Sequence, residues 1–135
     1  MLANCQKSCG TEPVVPTDFY SIEERDIYGN MVYYDQFRGK NLYIVNVASQ
    51  CGYTAENYNI LQVLSTMRSE IFDILIFPCN QFGRQEPGGT EEISYFAQQF
   101  GFEGRIMSKD MVNGPKTRDT FLYLKSKTDK KHISW

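Results

Sequence analysis

Two apolar runs, each followed by a segment of helical spacing, constrain this chain more than any other feature. Asn41 to Ala48 is almost continuously apolar, and so is Phe72 to Phe77. Runs of this length without polar alternation read as strands covered on both faces. Between them, Thr54 to Glu70 carries Tyr58, Leu61, Leu64 and Met67 at helical spacing, with Ile60 and Val63 widening the face expected to be buried. Thr54 is a suitable cap for this helix, and Glu56 suits its positive end. After the second run Gly88-Gly89 breaks the chain, and Thr90 is a suitable N-cap for a helix through Gln99 whose inner face is Ile93, Phe96, Ala97 and Phe100. Strand, helix, strand, helix in succession implies an α/β fold with a parallel pair and a right-handed crossover.

The flanks are read more loosely. Phe19-Tyr20-Ser21-Ile22 and Met31-Val32-Tyr33-Tyr34, with Tyr28-Gly29-Asn30 between them, predict an N-terminal β-hairpin. Phe102 to Lys109 crosses back with a short strand. A third helix is expected from near Pro115 to about Lys127, burying Phe121, Leu122 and Leu124. Residues 1–17 lack periodicity and are set apart as a flexible tail or an extension, leaving 18–135 as one domain. The lone His132 falls in a polar loop, Asp129 to His132, as a solvated side chain.

The chemistry concentrates where the first strand gives way to the first helix, in Asn46-Val47-Ala48-Ser49-Gln50-Cys51-Gly52-Tyr53-Thr54. A cysteine there lies beside backbone N–H groups left free at the helix start. Those groups and the helix dipole favour thiolate over thiol. The local pattern admits two readings, a reactive cysteine or a small thiol that packs like an apolar residue.

Charge and cysteine usage narrow the classes. Fourteen Lys and Arg against 16 Asp and Glu give a formal net charge of −2, which gives no global attraction to nucleic acid or anionic membrane. No run is long and apolar enough to span a bilayer, and the start lacks the apolar core of a secretory signal, so a soluble cytoplasmic protein is expected. Four cysteines, at 5, 9, 51 and 79, are irregularly spaced and do not suggest a disulfide framework, which favours a reducing compartment. Cys5 and Cys9 are read as exposed thiols rather than metal ligands, since zinc needs about four ligands. No metal or bound cofactor is expected.

A second stretch, Phe77-Pro78-Cys79-Asn80-Gln81-Phe82-Gly83-Arg84-Gln85-Glu86-Pro87-Gly88, decides between the two readings of Cys51. Together with Asn46 to Thr54 it resembles the glutathione peroxidase family. Gly39-Lys40-Asn41-Leu42, Glu91-Glu92-Ile93 and Val112-Asn113-Gly114 extend the similarity, which runs from about Phe19 to the last residue. The resemblance implies a thioredoxin-like fold and an antioxidant oxidoreductase that responds to oxidative stress. Such a thiol peroxidase would reduce hydrogen peroxide and organic or lipid hydroperoxides to water or alcohols with glutathione, through a sulfenic acid at Cys51. It also assigns the catalytic residues: Cys51 as the peroxidatic residue, with the Gln85 amide and the Trp135 indole N–H hydrogen-bonding the sulfur. Read from residues alone, Gln85 is equally a polar loop residue and Trp135 an apolar anchor.

Departures from the family shape the remaining expectations. The family continues past the position of Trp135 with an asparagine of the site, further strands and a final helix, so the chain reads as C-terminally truncated, with exposed strand edges and an unfilled core face. Gln98 stands where thioredoxin-dependent members carry a resolving cysteine, which points to glutathione, while a thioredoxin-dependent peroxidase or an impaired or redox-relay form stays as the alternative. Cys79 is expected to pack in the core. The absence of a long insertion after Val112-Asn113-Gly114 resembles the monomeric phospholipid hydroperoxide type, with transient membrane-surface contact. Tyr53 and Ser134 replace lysines common in those relatives, leaving Arg84 and Lys116 as candidate positive charges.

Overall fold

A computed structural model of the chain describes residues 14–133. The tail expected over 1–17 therefore lies mostly outside the described residues, as do Cys5, Cys9, Ser134 and Trp135. Among the described residues five strands and three α-helices follow in order: β1 (Glu23–Arg25), β2 (Met31–Tyr33), β3 (Asn41–Val47), α1 (Thr54–Ser65), β4 (Phe72–Pro78), α2 (Thr90–Gln99), β5 (Arg105–Ile106) and α3 (Asp119–Ser126). The sheet that carries the core has the order β3-β4-β5, and both its pairings are parallel. β1 and β2 form a separate antiparallel hairpin.

β4 is the centre of the molecule because it is buried along nearly its whole length. Its alternate side chains serve two cores. Leu75 and Phe77, with Cys79 just past the strand's end, face a cluster with Tyr34, Phe37, Met107 and Phe121. Ile74 and Ile76 face a second cluster with Tyr58 and Leu61 of α1 and Ile93 and Ala97 of α2. The period of two in a strand thus converts one apolar run into both faces of a layered α/β domain. Cys79 packs in the first cluster, fully buried, as expected.

Several boundaries differ from expectation, each for a local reason. Phe19–Ser21 is a 3-10 turn, not a strand, because the Asp18 carboxylate caps it by accepting the Tyr20 N–H at 3.0 Å; the hairpin's first strand begins later, at Glu23. α1 ends at Ser65 rather than Glu70. The hydroxyls of Ser65 and Thr66 take the carbonyls of Gln62 and Val63 at 2.7 and 2.6 Å and compete with the helix ladder. Ile60, Val63 and Met67 are 51%, 58% and 60% exposed, so the inner face of α1 is narrower than its composition suggested. α3 begins at Asp119, not Pro115, because Glu24 of β1 reaches over to accept the Thr120 N–H at 3.2 Å and to pair with buried Arg118 at 3.0 Å. Leu122 and Leu124 are half-buried there, and only Phe121 of the three expected residues is fully inside.

β3 is also less covered than a doubly buried strand. Among the described residues it pairs with β4 alone, and Tyr43 is 43% exposed. The opposite end of the sheet is held by charge. Asp73, buried at the start of β4, takes Arg68 at 2.7 Å, Arg105 at 3.4 Å and Lys40 at 3.9 Å.

Candidate active site

The carboxyl ends of β3 and β4 lie side by side, fixed by the Cys79 N–H on the Val47 carbonyl at 3.0 Å. Two loops leave from there, and in parallel sheets this is where ligand sites form. The first loop is 48–53. Thr54 was expected to cap α1, but Tyr53 is the N-cap and Thr54 ties the loop instead. Its hydroxyl donates to the Ala48 carbonyl at 2.8 Å and accepts the Cys51 N–H at 2.9 Å. The Thr54 N–H closes the turn on the Cys51 carbonyl at 3.0 Å. Cys51 is half-buried, and its Sγ receives the Tyr53 N–H at 3.5 Å, a backbone donor at the helix start. A cavity of about 330 Å³ opens beside it, walled by Tyr43, Val45, Tyr53, Ile60 and Phe82.

The second loop folds back on the first. Gly83 and Arg84 are successive left-handed residues, with φ of 62° and 54°. Glycine takes this conformation freely, while Arg84 is strained in it. The reversal is locked by Asn80 Oδ1, which accepts the Glu86 N–H at 3.1 Å. It brings the Gln85 carbonyl onto the Gln50 N–H at 2.8 Å, so Gln85 is bonded to the residue just before Cys51. Next to it, buried Glu86 accepts the Ser49 hydroxyl at 2.5 Å. Lys109 donates to the carbonyls of Glu86 and Gly88 at 3.3 and 2.7 Å. Burial pushes the Glu86 carboxyl above the usual carboxylate range; the Ser49 hydrogen bonds and the Lys109 charge pull the other way without cancelling it.

A third segment is stitched to the same loop. Gln81 Oε1 accepts the N–H groups of Val112 and Asn113 at 2.8 and 2.9 Å, and its Nε2 donates to the Asn113 carbonyl at 2.8 Å. The Asn113 side chain then holds both backbone groups of Ile133, each at 2.8 Å. Lys125 donates to the Val112 carbonyl and Asn113 Oδ1 at 2.5 and 2.9 Å, and burial lowers its pKa.

Of the three residues assigned catalytic roles, Cys51 and Gln85 come together through neighbouring backbone, and Trp135 lies outside the described residues. Ile133, two positions before it, is clamped beside the loop that carries Gln81. Lys116 lines a different cavity with Glu23, Glu24 and Arg118, so it does not serve the Cys51 pocket. Gln98 is exposed on α2, and His132 is exposed. Ser49, Thr54 and Glu86 were not singled out for the site from sequence. Glu86 had one available signal, as the one acidic residue in the stretch Phe77 to Gly88.

Known proteins resemble this chain in sequence and in fold. A family model described as glutathione peroxidase matches residues 19–125. The chain is 51% identical over 104 residues to putative glutathione peroxidase 7, chloroplastic, of Arabidopsis thaliana, covering 76% of this chain and 45% of that protein. It is 44% identical over 117 residues to a probable phospholipid hydroperoxide glutathione peroxidase of Helianthus annuus, covering 85% and 64%. It is 43% identical over 111 residues to glutathione peroxidase-like peroxiredoxin 2 of Saccharomyces cerevisiae, covering 82% and 68%. The crystal structure of T. cruzi GPX1 superposes with a TM-score of 0.65 at 29% identity, over 88% of this chain and 74% of that one. The chain thus spans about half to two thirds of the length of these curated relatives.

Proposed function

The chain belongs to the glutathione peroxidase family, and from that premise we propose that it is a thiol peroxidase whose reacting group is Cys51. The observation that carries this reading is the sulfur's setting: a half-buried thiol at a strand-to-helix turn, with a backbone N–H on it and an open cavity beside it. The Cys51 thiolate attacks one peroxide oxygen. The S–O bond forms as the O–O bond breaks, and the departing alkoxide takes a proton to leave as alcohol, or as water from hydrogen peroxide. The resulting sulfenic acid condenses with one glutathione thiol to a mixed disulfide and water. A second glutathione thiolate attacks that disulfide, regenerates Cys51 and releases oxidised glutathione.

Gln85 and Trp135 act on the sulfur in this reading, through amide and indole N–H. The bond from Gln50 to Gln85 supports the first assignment. The apolar walls of the cavity, Val45, Ile60 and Phe82, suit an organic hydroperoxide with a hydrocarbon body. Glutathione is favoured as reductant because Gln98 supplies no resolving thiol and the Cys79 thiol is buried. A thioredoxin-type reductant is the second reading, supported by the relative whose name includes peroxiredoxin.

The test is hydroperoxide consumption coupled in parallel to glutathione with its reductase and to thioredoxin with its reductase. Turnover with glutathione that vanishes in Cys51→Ser supports the proposal. Turnover that survives the substitution removes Cys51 as nucleophile, and turnover with thioredoxin alone replaces the reductant.

A further inference from the structure

Glu86 is a carboxyl group with no exposed surface, set directly beneath the loop that carries Cys51. One of its oxygens takes the Ser49 hydroxyl at 2.5 Å. The other, Oε2, is buried and has no hydrogen-bond partner among the described residues. A buried carboxylate requires a cation or several donors on both oxygens. The groups facing it from each packed element do not supply that. From α1, the Tyr58 hydroxyl is buried and has no hydrogen-bond partner among the described residues, and burial opposes its ionisation. From the segment after β5, the Lys109 ammonium is engaged by the carbonyls of Glu86 and Gly88 rather than by the carboxyl. From its own loop, Asn80 takes the Glu86 backbone N–H. Among the described residues Ser49, two positions before Cys51, is the one whose side chain bonds the carboxyl, and its main chain bonds it as well.

We propose that Glu86 is a positioning residue, a neutral carboxylic acid that holds Ser49 and through it the Cys51 turn, without adding a second negative charge to the loop cluster that carries the sulfur. The raised pKa caused by burial accords with this state. The anchor acts together with the Gln50–Gln85 bond, so both residues preceding Cys51 are fixed to the second loop. With the turn held, the Tyr53 N–H stays on the sulfur; released, it does not. The inference rests on the reading of Cys51 as the reacting thiol, but it is tested without peroxide.

The experiment follows alkylation of Cys51 by iodoacetamide, quantified on the Cys51 peptide by mass spectrometry, from about pH 5 to about pH 9, around the ordinary thiol pKa of about 8.5. Glu86→Gln, Glu86→Ala and Ser49→Ala are compared with the parent, and melting is recorded alongside. Glu86→Gln keeps the parent's rate-against-pH curve to within about twofold. Ser49→Ala, which leaves the buried carboxyl and the Ser49 main-chain bond in place and removes only the hydroxyl bond between the two residues, moves the curve to higher pH. It slows neutral-pH alkylation about three- to tenfold, the factor of one hydrogen bond. Glu86→Ala does the same if it folds. A Glu86→Gln curve displaced to lower pH means that the parent carboxyl is charged and overturns the proposal. So does a Ser49→Ala protein that melts lower but alkylates on the parent's curve. Loss of peroxide turnover in the parent with these alkylation shifts intact would sink the peroxidase reading and leave this one standing.

Discussion

The Gln50 N–H donates to the Gln85 carbonyl at 2.8 Å, joining the loop that carries the thiol to the loop that carries the amide. Because the bond uses main-chain atoms, the two loops stay in register whatever side chain stands at position 85. Gln85→Ala is therefore expected to leave the melting transition nearly in place. It should slow the reaction of Cys51 with hydroperoxide about tenfold, roughly the worth of one hydrogen bond of about 1.4 kcal/mol. Stopped-flow peroxide reduction checks this, and an unchanged rate constant removes Gln85 from the site.

Asn113 clamps Ile133 by two bonds and receives Lys125 as a third. Asn113→Ala leaves the Ile133 backbone and the Lys125 ammonium without these partners. A loss of about 2–3 kcal/mol is expected, at about 1 kcal/mol per bond. The Ile133 amide should lose hydrogen-exchange protection more than any amide of β4. Equal protection in parent and variant would show that another contact holds the segment.

Asp73 gives an acid-side signature. Burial alone would raise its carboxyl, but the Arg68 hydrogen bond, the Ile74 N–H and the charges of Arg68 and Arg105 hold it below the usual range. The folded pKa is thus lower than the unfolded value of about 3.9, so its stabilisation is present above that value and is lost as pH falls toward the folded pKa. Asp73→Asn should cost about 3 kcal/mol at neutral pH, and less as the pH is lowered through that window. Urea unfolding at several pH values measures the slope.

Glu86 has the opposite sign. Its folded pKa lies above the unfolded value of about 4.3, so its contribution is full below that pH and declines as pH rises toward the folded pKa. Glu86→Gln should flatten this decline while leaving the acid limb set by Asp73. The two variants therefore alter different arms of one stability–pH curve, and coincident changes in both arms would contradict the assignment.

Gly104 sits where a side chain has no room. A Cβ there would stand 2.4 Å from the Phe102 ring and 2.7 Å from Ile74 Cγ2. Gly104→Ala should destabilise by about 1–3 kcal/mol through overpacking, although alanine usually stabilises a chain relative to glycine. Thermal melting decides, and a rise in melting temperature would show that the β5 approach can give way.

Much of the fold was legible along the chain. The β4 run and the parallel pairing of β3 with β4 could be anticipated, because apolar continuity and element order depend on residues a few places apart. Boundaries failed where a distant side chain intervened, as Glu24 does at the start of α3. The burial of Ile60 and Val63 failed for a related reason: spacing says which residues share a helix face, not whether anything covers it.

Within the site, the residue types announced themselves and their connections did not. Cys51 at a strand-to-helix turn, and a glycine-containing loop with Gln85, are features of short segments, and local sterics and capping rules make such features readable. That Ser49 meets Glu86 across 37 residues, and that Thr54 ties the cysteine loop rather than capping its helix, was decided only when β3 and β4 aligned their carboxyl ends. Whether a buried carboxyl finds a cation or a serine depends on which groups the packed sheet delivers to it, and that is a property of three-dimensional proximity with no one-dimensional counterpart.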